Sequence, residues 1–158
     1  MILTTPAQLE RVLRSARTVA IVGASDNPAR PSYFVVRYLK THGYTVFPVN
    51  PNYSVVDGDK CYQSIAALIQ ERGVPDIIDV FRRPETLVEI VEEAIAAHIK
   101  TVWFQYGVVN QRAIEIADRA GLNVVVDRCM KVEHARFTRG LSTQGFNSGV
   151  LTAKRQPL

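Results

Sequence analysis

Hydrophobic residues along this chain fall into two alternating patterns. Short β-branched runs occupy residues 19–22, 44–49, 76–81, 101–104 and 123–126 and read as strands, the first of them unbroken and so buried on both faces. Between them the apolar positions recur at helical spacing. Thr4 or Thr5 is placed to cap a first helix over 5–16, with Pro6 in its first turn and Leu9, Val12 and Leu13 on one face. Pro31 and Ser32 open a second, with Phe34, Val35, Tyr38 and Leu39 in register and Gly43 ending it. Further helices are predicted over 62–71, closed by Gly73 and Pro75, and over 84–98, from Leu87, Val88, Val91, Ala94 and Ile95. The last covers 110–120, with Ile114, Ala117 and Ala120 inward and Gly121 at its end. Residues 53–59 read as an irregular polar loop, and residues 138–158 as an irregular or disordered tail.

Five alternations of strand and helix predict an α/β fold: a doubly wound, five-stranded parallel sheet with helices on both faces. At 158 residues the chain is expected to form one domain over 1–137, with the helix of 1–17 packed on it. Composition adds little, since 47% hydrophobic and 22% charged residues are ordinary for a globular protein. Charge is more informative. The net charge is +4, but Arg139, Lys154 and Arg155 lie in a tail without acids, leaving the first 137 residues only slightly basic. That excludes a nucleic-acid-binding face, and no basic run or interleaved aromatic stripe appears. No apolar run approaches the roughly 20 residues of a membrane span. Cys61 and Cys129 lack metal or disulfide spacing, and no signal peptide is evident, so a reduced cytoplasmic setting is expected.

Ligands of open parallel sheets bind beyond the carboxyl ends of the strands. The candidate site is therefore built from Gly23-Ala24-Ser25, Asn50-Pro51-Asn52, Phe81-Arg82-Arg83-Pro84, Gln105-Tyr106-Gly107 and Asp127-Arg128-Cys129. The first turn, followed by Arg30 and a helix start, has the geometry that presents backbone N–H groups to a phosphate. Replacing Gly23 with valine is expected to fill that space without disturbing the sheet. A nicotinamide or flavin site fits poorly. Gly23 is the only glycine kept of a G-x-G-x-x-G fingerprint, and no Asp or Glu occurs between Asp26 and Asp57 to hold a ribose.

The segments VAIVGAS, RPS, FPVNP, DVFRRP, WFQYG and DRCMKVEH, in this order, resemble the small stand-alone CoA-binding proteins of bacteria. These are similar to the CoA-binding, Rossmann-like domain of the succinyl-CoA synthetase alpha subunit. The resemblance implies coenzyme A or an acyl-CoA as ligand. It implies Gly23, Ala24, Ser25, Arg30 and Ser32 at the phosphates, and Asn50, Pro51 and Asn52 at the nucleotide end. It implies Phe81, Arg82, Arg83 and Pro84 along the cleft, with Gln105 and Gly107 deeper. Where the synthetase has a lysine after the second strand, this chain has Asn52 and Tyr53, which leaves its 3′-phosphate contact to Arg30 or another basic residue.

Catalysis is not expected. No Ser–His–Asp, metal-ligand or G-x-x-x-x-G-K-[ST] pattern occurs, and His42 and His98 lie at helix ends. His134, beside Glu133, reads either as a surface pair or as a cleft residue, and Cys129 as a buried thiol or a partner for that of CoA. The chain therefore reads as a CoA binder without chemistry of its own, with a protein partner left open. Rival readings are an NADP-type oxidoreductase, an acyl-CoA ligase subunit with a separate partner, and a CoA-responsive regulator.

Overall fold

The computed structural model of the chain describes residues 1–138. The tail expected over 138–158 lies outside the described residues apart from Thr138. In chain order the elements are α1 (Pro6–Ser15), β1 (Thr18–Val22), α2 (Pro31–Thr41), β2 (Thr45–Val49), β3 (Val55–Val56) and β4 (Asp59–Lys60). They continue with α3 (Ile65–Arg72), β5 (Ile77–Val80), a 3-10 turn (Pro84–Thr86), α4 (Leu87–Ala96), β6 (Thr101–Phe104), α5 (Gln111–Arg119), β7 (Asn123–Val126) and α6 (Met130–Thr138).

Five of the strands form one parallel sheet in the order β2-β1-β5-β6-β7. Val19 lies between Val46 of β2 and Ile77 of β5, and Val80 beside Phe104 of β6. Apart from Asp79 in β5 and the polar residues that start four of the strands, the runs are apolar because both faces are covered. Val19, Ile21, Ile77, Trp103 and Val125 pack beneath α1, α2 and α6. Ala20, Val22, Ile78, Val80, Val102, Phe104 and Val124 pack beneath α3, α4 and α5. Burying Trp103, Phe104, Ile21 and Leu39 completely contributes about 1.5–3 kcal/mol for each large side chain.

The structure corrects the sequence reading in three places. Residues 53–59 are not wholly irregular, because β3 and β4 form a small antiparallel hairpin closed at Asp57-Gly58. Both turn residues have positive φ, +48° and +80°, the backbone a two-residue hairpin needs. The helix expected from residue 62 begins at Ile65, because the Ser64 hydroxyl accepts the Ala67 N–H and caps it there. Tyr62 instead bridges to Val49 at the edge of the main sheet. Finally, α6 was not anticipated after the last strand. It buries Met130, Val132 and Ala135 together with Glu133, His134 and Arg136, so it carries no amphipathic stripe for periodicity to detect.

Candidate functional site

Strand order reverses between β1 and β5, where a doubly wound sheet leaves a crevice at the strand ends. A cavity of about 510 Å³ opens there. From the β2 side to the β6 side it is walled by Asn50, Asn52 and Tyr53, then Gly23 and Ser25, then Phe81, and finally Gln105, Tyr106 and Val108. Arg30, Pro31 and Ser32 close it from the start of α2.

The turn after β1 is held from several directions. The Gly23 and Ala24 N–H groups donate to the Val49 carbonyl, and Asn50 Nδ2 donates to the Ala24 carbonyl at 2.8 Å. Asn50 Oδ1 in turn accepts the Asn52 N–H at 2.9 Å, and Ser25 Oγ lies 3.2 Å from the Tyr53 hydroxyl. Gly23 has φ +92°, and a Cβ there would stand 2.7 Å from the Phe81 carbonyl oxygen and 2.9 Å from Arg82 Cδ. The expectation that valine would be accommodated is therefore corrected. Any side chain at this position meets rigid backbone in a conformation that disfavours it.

Electrostatically the cleft is biased toward anions. Whereas α1, α3 and α5 are capped by Thr5, Ser64 and Asn110, no side chain caps α2, whose first turn faces the cavity. An uncapped helix start carries partial positive charge. In α2, Pro31 has no N–H and the Tyr33 N–H donates to the Arg30 carbonyl, so the Ser32 N–H is the donor left at the first turn among the described residues. Arg30 stands exposed beside it and makes no ion pair among the described residues. The acid in the loop is turned away, because Asp26 Oδ1 accepts the Asp57 N–H at 2.7 Å.

The expected site residues do not all converge. Gly23, Ser25, Arg30, Ser32, Asn50, Asn52, Phe81 and Gln105 line one cavity. Ala24 is buried behind it. Pro51 and Arg82 line a separate depression with Val22, Val49, Gln63 and Glu89. Arg83 is exposed and pairs with Glu85 at 3.5 Å, and Pro84 starts the 3-10 turn on the surface. The Gly107 N–H donates to Asp127 Oδ1 at 2.8 Å. Tyr106, one of the strand-end candidates, lines the cavity, and Tyr53 and Val108 belong to its wall although the candidate set omits them. The only hint for Tyr53 is that it follows the Asn50-Pro51-Asn52 turn.

Besides Gln105 in the cleft wall, several polar groups are buried outside it. Gln105 is 5% exposed and its Oε1 has no hydrogen-bond partner among the described residues. Burial pushes the Cys129 thiol up. Hydrogen bonding from the Gln105 side chain and from the Val132 and Lys131 N–H groups works the other way, less strongly. Asp79, on β5 between Ile21 and Trp103, is wholly buried and neither carboxyl oxygen finds a partner among the described residues. Burial holds its carboxyl well above the usual carboxylate range. His134 is elsewhere. Its Nδ1 lies 2.9 Å from the Tyr38 hydroxyl, within a cluster of Tyr38, His42, Tyr44 and Phe137. Burial, with lesser contributions from His42 and Arg14, lowers its pKa to about 4. Glu133, also buried, pairs with Arg136 at 3.2 Å and Arg128 at 3.3 Å. No group of three or more potential metal ligands gathers among the described residues.

A doubly wound sheet with a glycine turn, an uncapped helix start and an unpaired arginine around one cleft defines an α/β protein suited to an anionic ligand. Residues 17–135 match the CoA binding domain family model, and the chain belongs to that family. It is similar to the uncharacterized protein YneT of Bacillus subtilis, 35% identical over 82% of this chain and 93% of that one. Among solved structures, a hypothetical protein from Pyrococcus horikoshii OT3 is 41% identical, with a TM-score of 0.80 over 85% of this chain and 93% of the other. The ADP-forming acetate–CoA ligase of Methanocaldococcus jannaschii is 28% identical over 73% of this chain, which matches only 17% of the ligase. No helix among the described residues is long and apolar enough to cross a membrane.

Proposed function

We propose that this chain binds coenzyme A or an acyl-CoA across the ends of β2, β1, β5 and β6, without catalysis of its own. The observation that carries the reading is the convergence of the Gly23 turn, the uncapped start of α2 and the unpaired Arg30 on one cavity. Phosphates belong there because the partial positive charge of the helix start and a guanidinium stabilise their charge. From β2 to β6 the cleft crosses three interstrand spacings, roughly 14 Å, so it suits an extended ligand rather than a lone phosphate or base. Asn50 and Asn52 then meet the nucleotide end, and Phe81 and Gln105 flank the arm. Both cysteines are free thiols, which suits a reduced cytoplasmic setting.

Calorimetric titration with CoA, acetyl-CoA, NADH and NADPH tests this. Stoichiometric binding of the CoA compounds alone is expected, and selective binding of NADPH would overturn the reading. A second reading, a subunit that presents CoA to a separate ligase partner, draws on the similarity to acetate–CoA ligase. Co-purification with such a partner, and ligation only in its presence, would distinguish it.

A further inference from the structure

Two strands of two residues each do not hold a hairpin by themselves. The β3–β4 hairpin nevertheless follows closely on Tyr53, which lines the cleft and whose hydroxyl lies 3.2 Å from Ser25 Oγ. Val56 anchors the inner side of the hairpin in the core. Its turn is held by charge. Lys40, in the last turn of α2, places Nζ 3.0 Å from the Asp57 carbonyl oxygen, 3.1 Å from Asp57 Oδ2 and 2.7 Å from Asp59 Oδ2. An ammonium has three donors, and this one turn supplies three acceptors. Arg37 Nε stands 3.8 Å from Asp57 Oδ1. On its other side the Asp57 N–H donates to Asp26 Oδ1 at 2.7 Å, in the loop that runs from Ser25 to Arg30 in the cavity wall. Asp57 is thus engaged through its N–H, its carbonyl and its carboxylate, at a φ of +48° that a non-glycine residue keeps where its surroundings fix it. A lysine in a last helical turn is favoured by the dipole alone, with its ammonium in water. Here the Lys40 and Asp57 side chains are only 30% and 20% exposed, and the ammonium is bound to the hairpin instead.

We propose that Lys40 is a positioning residue for the ligand. It is not part of the cavity wall and acts through Asp57, which ties the Tyr53 segment on one side to the Asp26 loop on the other. The two walls of the nucleotide end are then held at a set width before a ligand enters, which spares the ligand the cost of ordering them. The inference rests on the CoA reading and deepens it. A cation also attracts an anionic ligand through its field, and the two modes differ in sign at Asp57. If the field matters, removing the Asp57 charge tightens CoA binding. If the clasp matters, the same change weakens it.

The test is a set of CoA titrations on the full chain, at a temperature where circular dichroism shows each variant folded, with melting temperatures recorded separately. Lys40→Met is expected to lose about tenfold in affinity, and Lys40→Arg to keep most of it. Asp57→Asn keeps the backbone N–H and a side chain that tolerates positive φ, so it removes little besides the charge. It should lose about fivefold, and the double variant should be no weaker than Lys40→Met, because both substitutions break one network. An unchanged affinity in folded Lys40→Met, with only the melting temperature lowered, would make the lysine merely structural and overturn the proposal. Tighter binding in Asp57→Asn, or losses that add in the double variant, would overturn it too. Should Lys40→Met not fold, the sign of the Asp57→Asn effect decides alone. If wild type does not bind CoA, the CoA reading itself fails and this inference falls with it; wild-type binding that none of the variants alters would sink the inference alone.

Discussion

A single α-carbon, that of Gly23, decides how closely the end of β1 approaches β5. Its φ of +92° and the 2.7 Å from an added Cβ to the Phe81 carbonyl mean that even alanine must move backbone. Gly23→Ala is expected to lower stability by about 1–3 kcal/mol, read from the denaturant midpoint, and to weaken CoA binding with it. A midpoint within error of wild type would show that the turn gives way. The arginines separate by surroundings rather than by sequence. Among the described residues Arg30 has no ion pair and lines the cavity, whereas the Arg83 side chain is 82% exposed and already paired with Glu85. Arg30→Ala should therefore cost about 1.5–3 kcal/mol of CoA affinity, less as salt is raised, and Arg83→Ala should cost nothing measurable. The reverse order in a titration would relocate the phosphate site. From the sequence both arginines were equal candidates, because a strand-end position fixes where a side chain starts and not where its head lies.

At the level of elements, the main-sheet strands were legible because burial on both faces writes them as largely apolar, β-branched runs even where Asp79 interrupts β5, and the capped helices because their signals are local. Two elements escaped for opposite reasons. The β3–β4 hairpin is too short for alternation to register, and its Asp57-Gly58 turn was absorbed into the loop read over 53–59. Helix α6 is hidden because its buried face includes an ion pair, Glu133 with Arg136, and a histidine, which read as solvent-facing. That histidine makes the docking of α6 dependent on pH. His134 has its pKa lowered from 6.5 to about 4, so between these values the unfolded chain binds the extra proton. Its contribution is complete above about pH 6.5 and is lost as pH falls toward about 4. The difference in unfolding free energy between wild type and His134→Phe should therefore shrink, or change sign, over that interval as pH is lowered. A difference independent of pH would mean that His134 titrates alike in both states.

For the molecule as a whole, the question is whether a cleft of this kind can do chemistry unaided. Among the described residues its wall contains no histidine, cysteine, lysine or carboxylate. Its ionisable side chains are Arg30 and the tyrosines Tyr53 and Tyr106, and burial pushes the Tyr106 phenol up from its ordinary value. General acid–base work near neutral pH needs a group that exchanges a proton there, within hydrogen-bond reach of the reacting atom. The chain's candidates lie elsewhere: His134 is held neutral among aromatic rings, Cys129 sits behind Gln105 with a raised pKa, and Asp79 is sealed in the sheet. A hydride-transfer site is disfavoured as well, since β2 is followed by Asn50, where a ribose-holding carboxylate would be wanted. The expected behaviour is that of a binder. At a free CoA concentration about a hundred times Kd, ligation of the folded state alone should stabilise the chain by about 2.7 kcal/mol, visible as a rise in melting temperature. Under the same conditions acetyl-CoA should be neither hydrolysed nor formed, with or without ATP, and NADPH should not be oxidised. Thioester turnover that survives purification and vanishes in Cys129→Ser or His134→Ala would defeat this account, because it would require one of those buried groups to reach the cleft.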